Sequence, residues 1–215
     1  MRFNVRNKLN PVLLALALTL NFFSIGILHA QEACGALDGP GQFGPFDYTK
    51  PEDRTNLAVV ESYHFGPKVQ SLPPGAPTGG DIDYTLRAFP NHHRALERMI
   101  EFSIRNKSPK PPGANYNLPC YFDRALRIKP DDGIVYMLFG DYLARTGKPQ
   151  EALEKYKEAL RLRPDDANVN YNAGLLYYNL KNYELAIEHA KKAYELGFPL
   201  PGLKNKLQKI GKWNS

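Results

Sequence analysis

The stretches "ALRIKPDDG" at residues 125–133 and "ALRLRPDDA" at residues 159–167 are nearly identical, and they begin 34 residues apart. In each, a run with helical spacing ends at a proline, which has no amide hydrogen and cannot continue a helix. A period of 34 residues is typical of repeats in which two helices form a hairpin. The sequence therefore predicts a mainly α-helical fold in which helical hairpins stack on one another.

The unit that begins at Gly133 carries a finer pattern. Gly140 and Ala152 are small where the two helices of a hairpin would cross closely, and Pro164 would end the second helix. This pattern resembles the tetratricopeptide repeat, and the resemblance implies a short superhelix of hairpins. The next unit departs from it at Asn170, where a large apolar residue is usual. The matching residues of the first unit are Tyr136, Phe139, Gly140, Leu143, Ala152, Tyr156, Ala159 and Pro164.

The segments before the repeats are harder to assign. Residues 57–65 and 81–89 mix β-branched and aromatic residues, which favours a short strand pair, although a short helix suits 57–65 equally well. The predicted boundaries are a signal peptide at 1–30, an irregular N-terminal segment at 31–90, a tetratricopeptide-like unit with an enlarged loop at 91–130, two regular units at 131–200 and a C-terminal cap helix at 201–215.

The first residues have the features of a secretory signal. A basic start is followed by an apolar run, and Ala30 precedes a polar stretch, which is typical of a cleavage site. An uncleaved membrane anchor is the alternative; after cleavage we expect no membrane span. The chain has 28 Lys and Arg against 22 Asp and Glu, spread among one another. Without a concentrated basic face, we expect no nucleic-acid partner.

Cys34 and Cys120 are the chain's two cysteines. In an exported protein an even number of cysteines predicts a disulfide. Closing a loop of this length stabilises the fold by roughly 4–5 kcal/mol in the chain-entropy model. Neither cysteine lies in a CxxC sequence, so we interpret the bond as structural and not as redox-active.

The stretch "DYTLRAFPNHHRAL" at residues 83–96 contains two adjacent histidines. We predict that Asn91 is the N-cap of a helix and that His92 and His93 occupy its first turn as structural hydrogen-bonding groups. With Arg87 and Arg94 they form a candidate signature site. The alternatives are partner contacts, or a metal site or hydrolase that uses His64, His92, His93 and nearby carboxylates such as Asp81. The sequence has no HExxH, nucleophile elbow or phosphate loop, so we predict no enzyme, no cofactor and no metal.

The tetratricopeptide resemblance also implies which positions line the concave surface. Their asparagines and tyrosines suit an extended peptide, because amides pair with its backbone and tyrosines add apolar contact. We therefore predict a protein-interaction module with a protein or peptide partner; binding of peptidoglycan strands is the alternative. The candidate residues are Ile134, Met137, Asp141, Ala144, Arg145, Asn168, Tyr171, Leu175, Tyr178 and Asn179, with Asn172 beside them.

A wider resemblance covers nearly all of the chain after the signal. "CGALDGPGQFGPFDY" at 34–48, "DYTLRAFPNHHRAL" and "CYFDRALRIKPDD" at 120–132 together resemble a family of exported bacterial tetratricopeptide proteins. The resemblance implies that the protein is located in the periplasm of a Gram-negative bacterium. It implies nothing about chemistry.

Overall fold

A computed structural model describes residues 34–39, 41–71 and 79–213, so the predicted signal peptide lies outside the described residues. The described part is mainly helical and contains no β-strand. A short 3-10 turn at Pro51–Asp53 comes first. The helices that follow it are α1 Arg54–His64, α2 Pro67–Ser71, α3 Gly79–Ala88, α4 His93–Asn106, α5 Leu118–Ile128, α6 Gly133–Arg145, α7 Pro149–Leu162, α8 Ala167–Asn179, α9 Tyr183–Glu195 and α10 Gly202–Lys209.

All of these helices belong to one compact unit that begins at Leu37. None of the described helices is long and apolar enough to cross a membrane. Cys34 and Cys120 are both disulfide-bonded, as the sequence predicts.

The repeated "PDD" has a structural role in both hairpins, α6–α7 and α8–α9. Its second aspartate is the N-cap of the helix that follows. Asp132 accepts hydrogen bonds from the amides of Ile134 and Val135 at 3.1 and 3.3 Å, and Asp166 accepts from two amides of α8 in the same way. A side-chain acceptor at this position satisfies amides that have no partner within the helix. The same three residues therefore end one hairpin and begin the next.

The small residues of the hairpins lie where neighbouring side chains leave no room. A Cβ at Gly140 would lie 2.8 Å from two ring atoms of Tyr156 in α7. The equivalent Gly174 packs against the cap helix α10, because a Cβ there would lie 2.7 Å from a methyl of Leu203. Tyr156 and Leu203 are both buried in the core. These contacts give the physical reason for the small residues in the sequence pattern.

Asn170, the departure from the repeat pattern, is buried with its side-chain hydrogen bonds satisfied. Its amide donates to the carbonyl oxygens of Pro164 and Asp166 at 2.8 and 3.0 Å. Its side-chain oxygen lies 3.0 Å from Nδ1 of His189 in α9, which stacks on Tyr177. A buried amide is tolerated when its donors and acceptor are paired. Here polar contacts replace the apolar contact of a regular unit.

The enlarged loop of the first unit lies between α4 and α5 and is held by α3. The buried carboxylate of Asp83 accepts hydrogen bonds from the backbone and side-chain amides of Asn115 at 3.0 and 2.8 Å, and from the Tyr121 hydroxyl. Helix α5 begins at Leu118, where Asn117 is the N-cap. Asp83 therefore anchors the enlarged loop to α3.

The predicted strand pair is wrong, because both segments are helical. Residues 57–64 lie within α1, and residues 81–88 lie within α3. In α3 the buried residues Ile82, Thr85 and Leu86 have the three-to-four spacing of a helical face. Burial of that face outweighs the strand preference of the β-branched and aromatic residues.

Replacement of Gly140 by alanine tests the close crossing of α6 and α7. We expect the free energy of unfolding to fall by about 1–3 kcal/mol, because the added methyl overlaps the Tyr156 ring. Urea denaturation of the purified protein measures the change. The matched control is Gly80→Ala in α3, where a Cβ meets nothing within 4 Å. That substitution should be neutral or slightly stabilising, and an equal loss at both positions would contradict this explanation.

Candidate functional site

The structure places the N-cap of α4 one residue later than predicted. His92, not Asn91, is the cap: its Nδ1 accepts a hydrogen bond from the amide of Ala95 at 3.1 Å. Nδ1 is therefore the acceptor, so Nε2 carries the hydrogen and donates to Glu61 of α1 at 3.1 Å. The ring is fully buried and lies between Tyr48 and Phe65. His92 fixes the start of α4 against the N-terminal segment.

Asn91 has a different role from the predicted cap. Its side-chain oxygen accepts from the amide of Tyr48 at 2.9 Å. Its side-chain amide donates to Asp47 at 2.7 Å and to Asp132 at 3.3 Å. Because these contacts use both ends of the side chain, Asn91 connects the N-terminal segment to the start of α6.

The other two histidines of the candidate metal site pair with separate carboxylates. His93 Nε2 lies 2.9 Å from Asp132, and His64 Nδ1 lies 3.0 Å from Asp81. His64 also stacks on Tyr84 of α3. Within the part of the chain that the structure describes, no group of three or more His, Cys, Asp or Glu residues could hold a metal ion. The geometry therefore gives each histidine its own partner and does not bring the three together.

The arginines of the candidate signature site also lie apart. Arg87 pairs with Asp83 at 2.9 Å and covers the Tyr84 ring. Arg94 lies over the Phe65 ring and donates to Gln70 of α2. Arg87 therefore makes its contacts within α3, whereas Arg94 links α4 to Phe65 and to α2. Both arginines have structural roles in this fold.

A groove of about 420 Å³ lies between α4, α6 and α8. Each of these is the first helix of a hairpin, so the groove follows the stack from one unit to the next. The predicted partner-binding residues that line it are Ile134, Met137, Asp141, Arg145, Asn168 and Asn172. Helix α4 contributes His93, which the sequence analysis names in the candidate signature site. It also contributes three residues that the sequence did not point to: Glu97, Ile100 and Glu101. The 34-residue period would have pointed to these positions of α4. The enlarged loop between α4 and α5 breaks that period, so the positions could not be assigned from the sequence.

Several predicted groove residues lie elsewhere because α10 packs on α8. Tyr171 is buried, stacks on Phe198 and accepts a hydrogen bond from the amide of Leu203 at 3.2 Å. Tyr178 lies edge-on to Tyr183 with the ammonium of Lys206 above its ring. Both tyrosines that would contact a peptide or a peptidoglycan strand therefore contact the protein itself. Ala144, Leu175 and Asn179 likewise do not line the groove.

The charged groups of the groove are largely paired within the protein. Asp141 pairs with Arg145 at 3.3 Å, and Arg98 pairs with both Glu97 and Glu101. Burial raises the pKa of Asp141; Arg145 opposes that change and Glu97 adds to it. The paired charges leave amides and apolar side chains as the groups available to a ligand.

Two asparagines of α8 lie on this surface. The Asn172 side-chain amide contacts the sulfur of Met137 at 3.6 Å, and the Asn168 side chain is exposed. A thioether sulfur is a weak acceptor, so the Asn172 amide can exchange this contact for a stronger one.

The buried imidazole of His92 predicts a loss of stability in acid. Burial lowers its pKa to about 3 from an ordinary value of 6.5, and the neighbouring His93 lowers it further. The unfolded chain therefore takes up a proton below pH 6.5 that the folded chain does not. The stabilisation is complete above pH 6.5, and it declines toward pH 3 by up to about 1.4 kcal/mol per pH unit.

Histidine NMR and urea denaturation check this prediction. We expect the His92 ring to remain neutral, with hydrogen on Nε2, from pH 8 to pH 4.5. The variant His92→Asn keeps a capping oxygen but cannot titrate, so its stability should depend less on pH over this range, although it is lower at pH 7.5. A His92 titration midpoint near its ordinary value of 6.5 would contradict the assignment.

Residues 137–197 match the family model described as tetratricopeptide repeat. A peroxisomal targeting signal receptor from Candida albicans is 38% identical over 68 residues, which are 32% of this chain and 12% of the receptor. The corresponding receptor from Candida glabrata is 31% identical over 35% of this chain and 13% of its own length. This chain thus spans only a small part of the curated relatives that it matches.

The chain is also similar to a solved structure. YrrB, described as a TPR protein with an unusual peptide-binding site, is 23% identical with a TM-score of 0.44, over 72% of this chain and 70% of that one. The described helices and the family match agree on the architecture of this region. Residues 137–197 therefore match the tetratricopeptide repeat in sequence, and the structure folds them as helical hairpins.

Proposed function

We propose that the groove between α4, α6 and α8 binds an extended peptide segment of a partner protein, and that the protein acts by binding and not by catalysis. The observation that carries this proposal is the pair of asparagines, Asn168 and Asn172, on the groove side of α8. Beside them, Ile134 and Met137 of α6 provide an apolar surface. Amides next to apolar side chains suit a ligand that has both backbone and side chains to bind.

The spacing of the two asparagines fits an extended backbone. Residues four apart on a helix have Cβ atoms about 5–6 Å apart. Two residues of an extended chain advance by about 6.6 Å. A peptide that runs along α8 can therefore place two peptide groups that point to the same side, two residues apart, next to Asn168 and Asn172. Each asparagine amide has both donors and an acceptor, and it can pair with the N–H and the C=O of a peptide group.

The relatives support this role in general terms. The Candida albicans relative is named as a receptor for a targeting signal. The matched segment is a small part of that receptor, so only recognition of a polypeptide is carried over here, and not its particular signal.

We further propose that the protein acts in the periplasm after export. The basic and apolar start of the sequence and the disulfide-bonded state of both cysteines support this location. Mass spectrometry of protein recovered from a periplasmic extract should find a mature N-terminus that follows Ala30. Recovery of the uncleaved chain from the membrane fraction would contradict the proposal.

A peptide selected on the full-length protein from a displayed library of linear sequences tests the groove. Fluorescence anisotropy with the selected peptide should show that Asn168→Ala combined with Asn172→Ala weakens binding by about tenfold or more, because two hydrogen bonds are lost.

The matched control is Asn179→Ala, an exposed asparagine of the same helix that does not line the groove. It should leave the affinity unchanged. Selected peptides that bind the double variant as tightly as the unaltered protein would place recognition on another surface.

A further inference from the structure

A second cavity lies at the far end of α4 and is larger than the groove. Its volume is about 700 Å³, within the range of roughly 300–1,000 Å³ that is common for small-molecule sites. Its walls come from the end of α4, the enlarged loop, the start of α5, the end of α6 and the turn into α7. Its main apolar lining residues are Ile104, Pro109, Pro119, Phe139, Tyr142 and Leu143.

The enlarged loop forms one wall of this cavity, and hydrogen bonds hold that wall in place. The Ser103 hydroxyl of α4 donates to the carbonyl of Ser108 at 2.7 Å. The amide of Leu118 donates to the carbonyl of Pro109 at 2.7 Å. The wall is therefore fixed at both ends of the loop.

The polar groups of the lining suit an apolar ligand body better than a peptide backbone. The hydroxyls of Ser103, Ser108 and Thr146 each donate to a backbone carbonyl oxygen, at 2.7–2.8 Å. No asparagine or glutamine lines the cavity among the described residues. A peptide would find few hydrogen-bond partners for its amide groups along the apolar walls, which is costly, whereas an alkyl or aryl body has no amide groups to satisfy.

The rim of the cavity favours a negative charge. Three basic residues line it, with one acidic residue, Glu151. Arg145 pairs with Asp141 at 3.3 Å, and Lys148 pairs with Glu151 at 3.2 Å. Lys107 is the basic lining residue that has no ion pair among the described residues. It lies directly after α4 and is exposed.

We propose that this cavity binds a small amphipathic carboxylate, with its apolar body between α4, α6 and the loop and its carboxylate at Lys107. This site shares Arg145 with the peptide groove and none of its other lining residues. The same chemistry belongs to medium-chain fatty acids and to soluble aryl-alkyl acids. The charge complementarity at Lys107 and the apolar walls together favour this class of ligand.

Calorimetric titration of the full-length protein tests the proposal with decanoate, 4-phenylbutanoate and decyltrimethylammonium. We expect at least one carboxylate to bind and the cationic chain to bind much more weakly. Lys107→Gln should weaken carboxylate binding by about tenfold through loss of a charged hydrogen bond. Thr146→Trp, which places a large ring at the cavity lining, should abolish binding.

Lys181→Gln is the matched control. Lys107 and Lys181 both follow a helix with positive φ, at 50° and 61°, but Lys181 does not line the cavity. The control should bind carboxylates normally, and so should the Asn168→Ala and Asn172→Ala double variant, which separates this proposal from that of the groove. Preference for decanoate indicates a lipid source, and preference for 4-phenylbutanoate an aromatic one. Absence of carboxylate binding, equal binding of the cation, or no effect of Lys107→Gln would overturn the proposal.

Discussion

The carboxylate of Asp132 connects three parts of the fold. One oxygen accepts from the first amides of α6, while His93 of α4 and Asn91 donate to the group from the other side. Asn91 in turn holds Asp47 of the N-terminal segment. The carboxylate is nearly buried, so these hydrogen bonds are shielded from water. The equivalent Asp166 caps α8 and pairs with Arg163. The second aspartate of "PDD" thus caps a helix in both hairpins. Asp132 in addition fixes the first unit and the N-terminal segment to the repeats.

The repeated region was the part that sequence could predict well, because the pattern describes contacts within one hairpin. Gly140 must be small because the Tyr156 ring of the same hairpin lies against it. The N-terminal helices could not be predicted in this way. In α3 the local preference of its residues favours a strand, whereas the helix is decided by burial of Ile82 and Leu86 against other elements. The choice of His92 over Asn91 as the cap likewise depends on a distant segment, residues 47–48.

The groove was predicted only in part, because the repeat pattern describes regular hairpins and not the cap helix. Residues of α6 and the first turns of α8 line it as the repeat pattern indicates. Tyr171 and Tyr178 do not, because the pattern assumes a following unit and this chain has a cap helix whose packing the pattern does not specify. The cavity beside the enlarged loop was not predictable at all, since its walls meet only after α3 has anchored the loop through Asp83 and Asn115.

The buried pair of Asn170 and His189 has a consequence for how the repeats find one another. Hairpins of one repeat family have similar apolar faces, so α8 could in principle associate with the second helix of another unit. Such an arrangement would leave the Asn170 amide buried without its imidazole partner, at a cost of about 1–3 kcal/mol. The pair therefore disfavours mispairing of α8 during folding and exchange of hairpins between two chains.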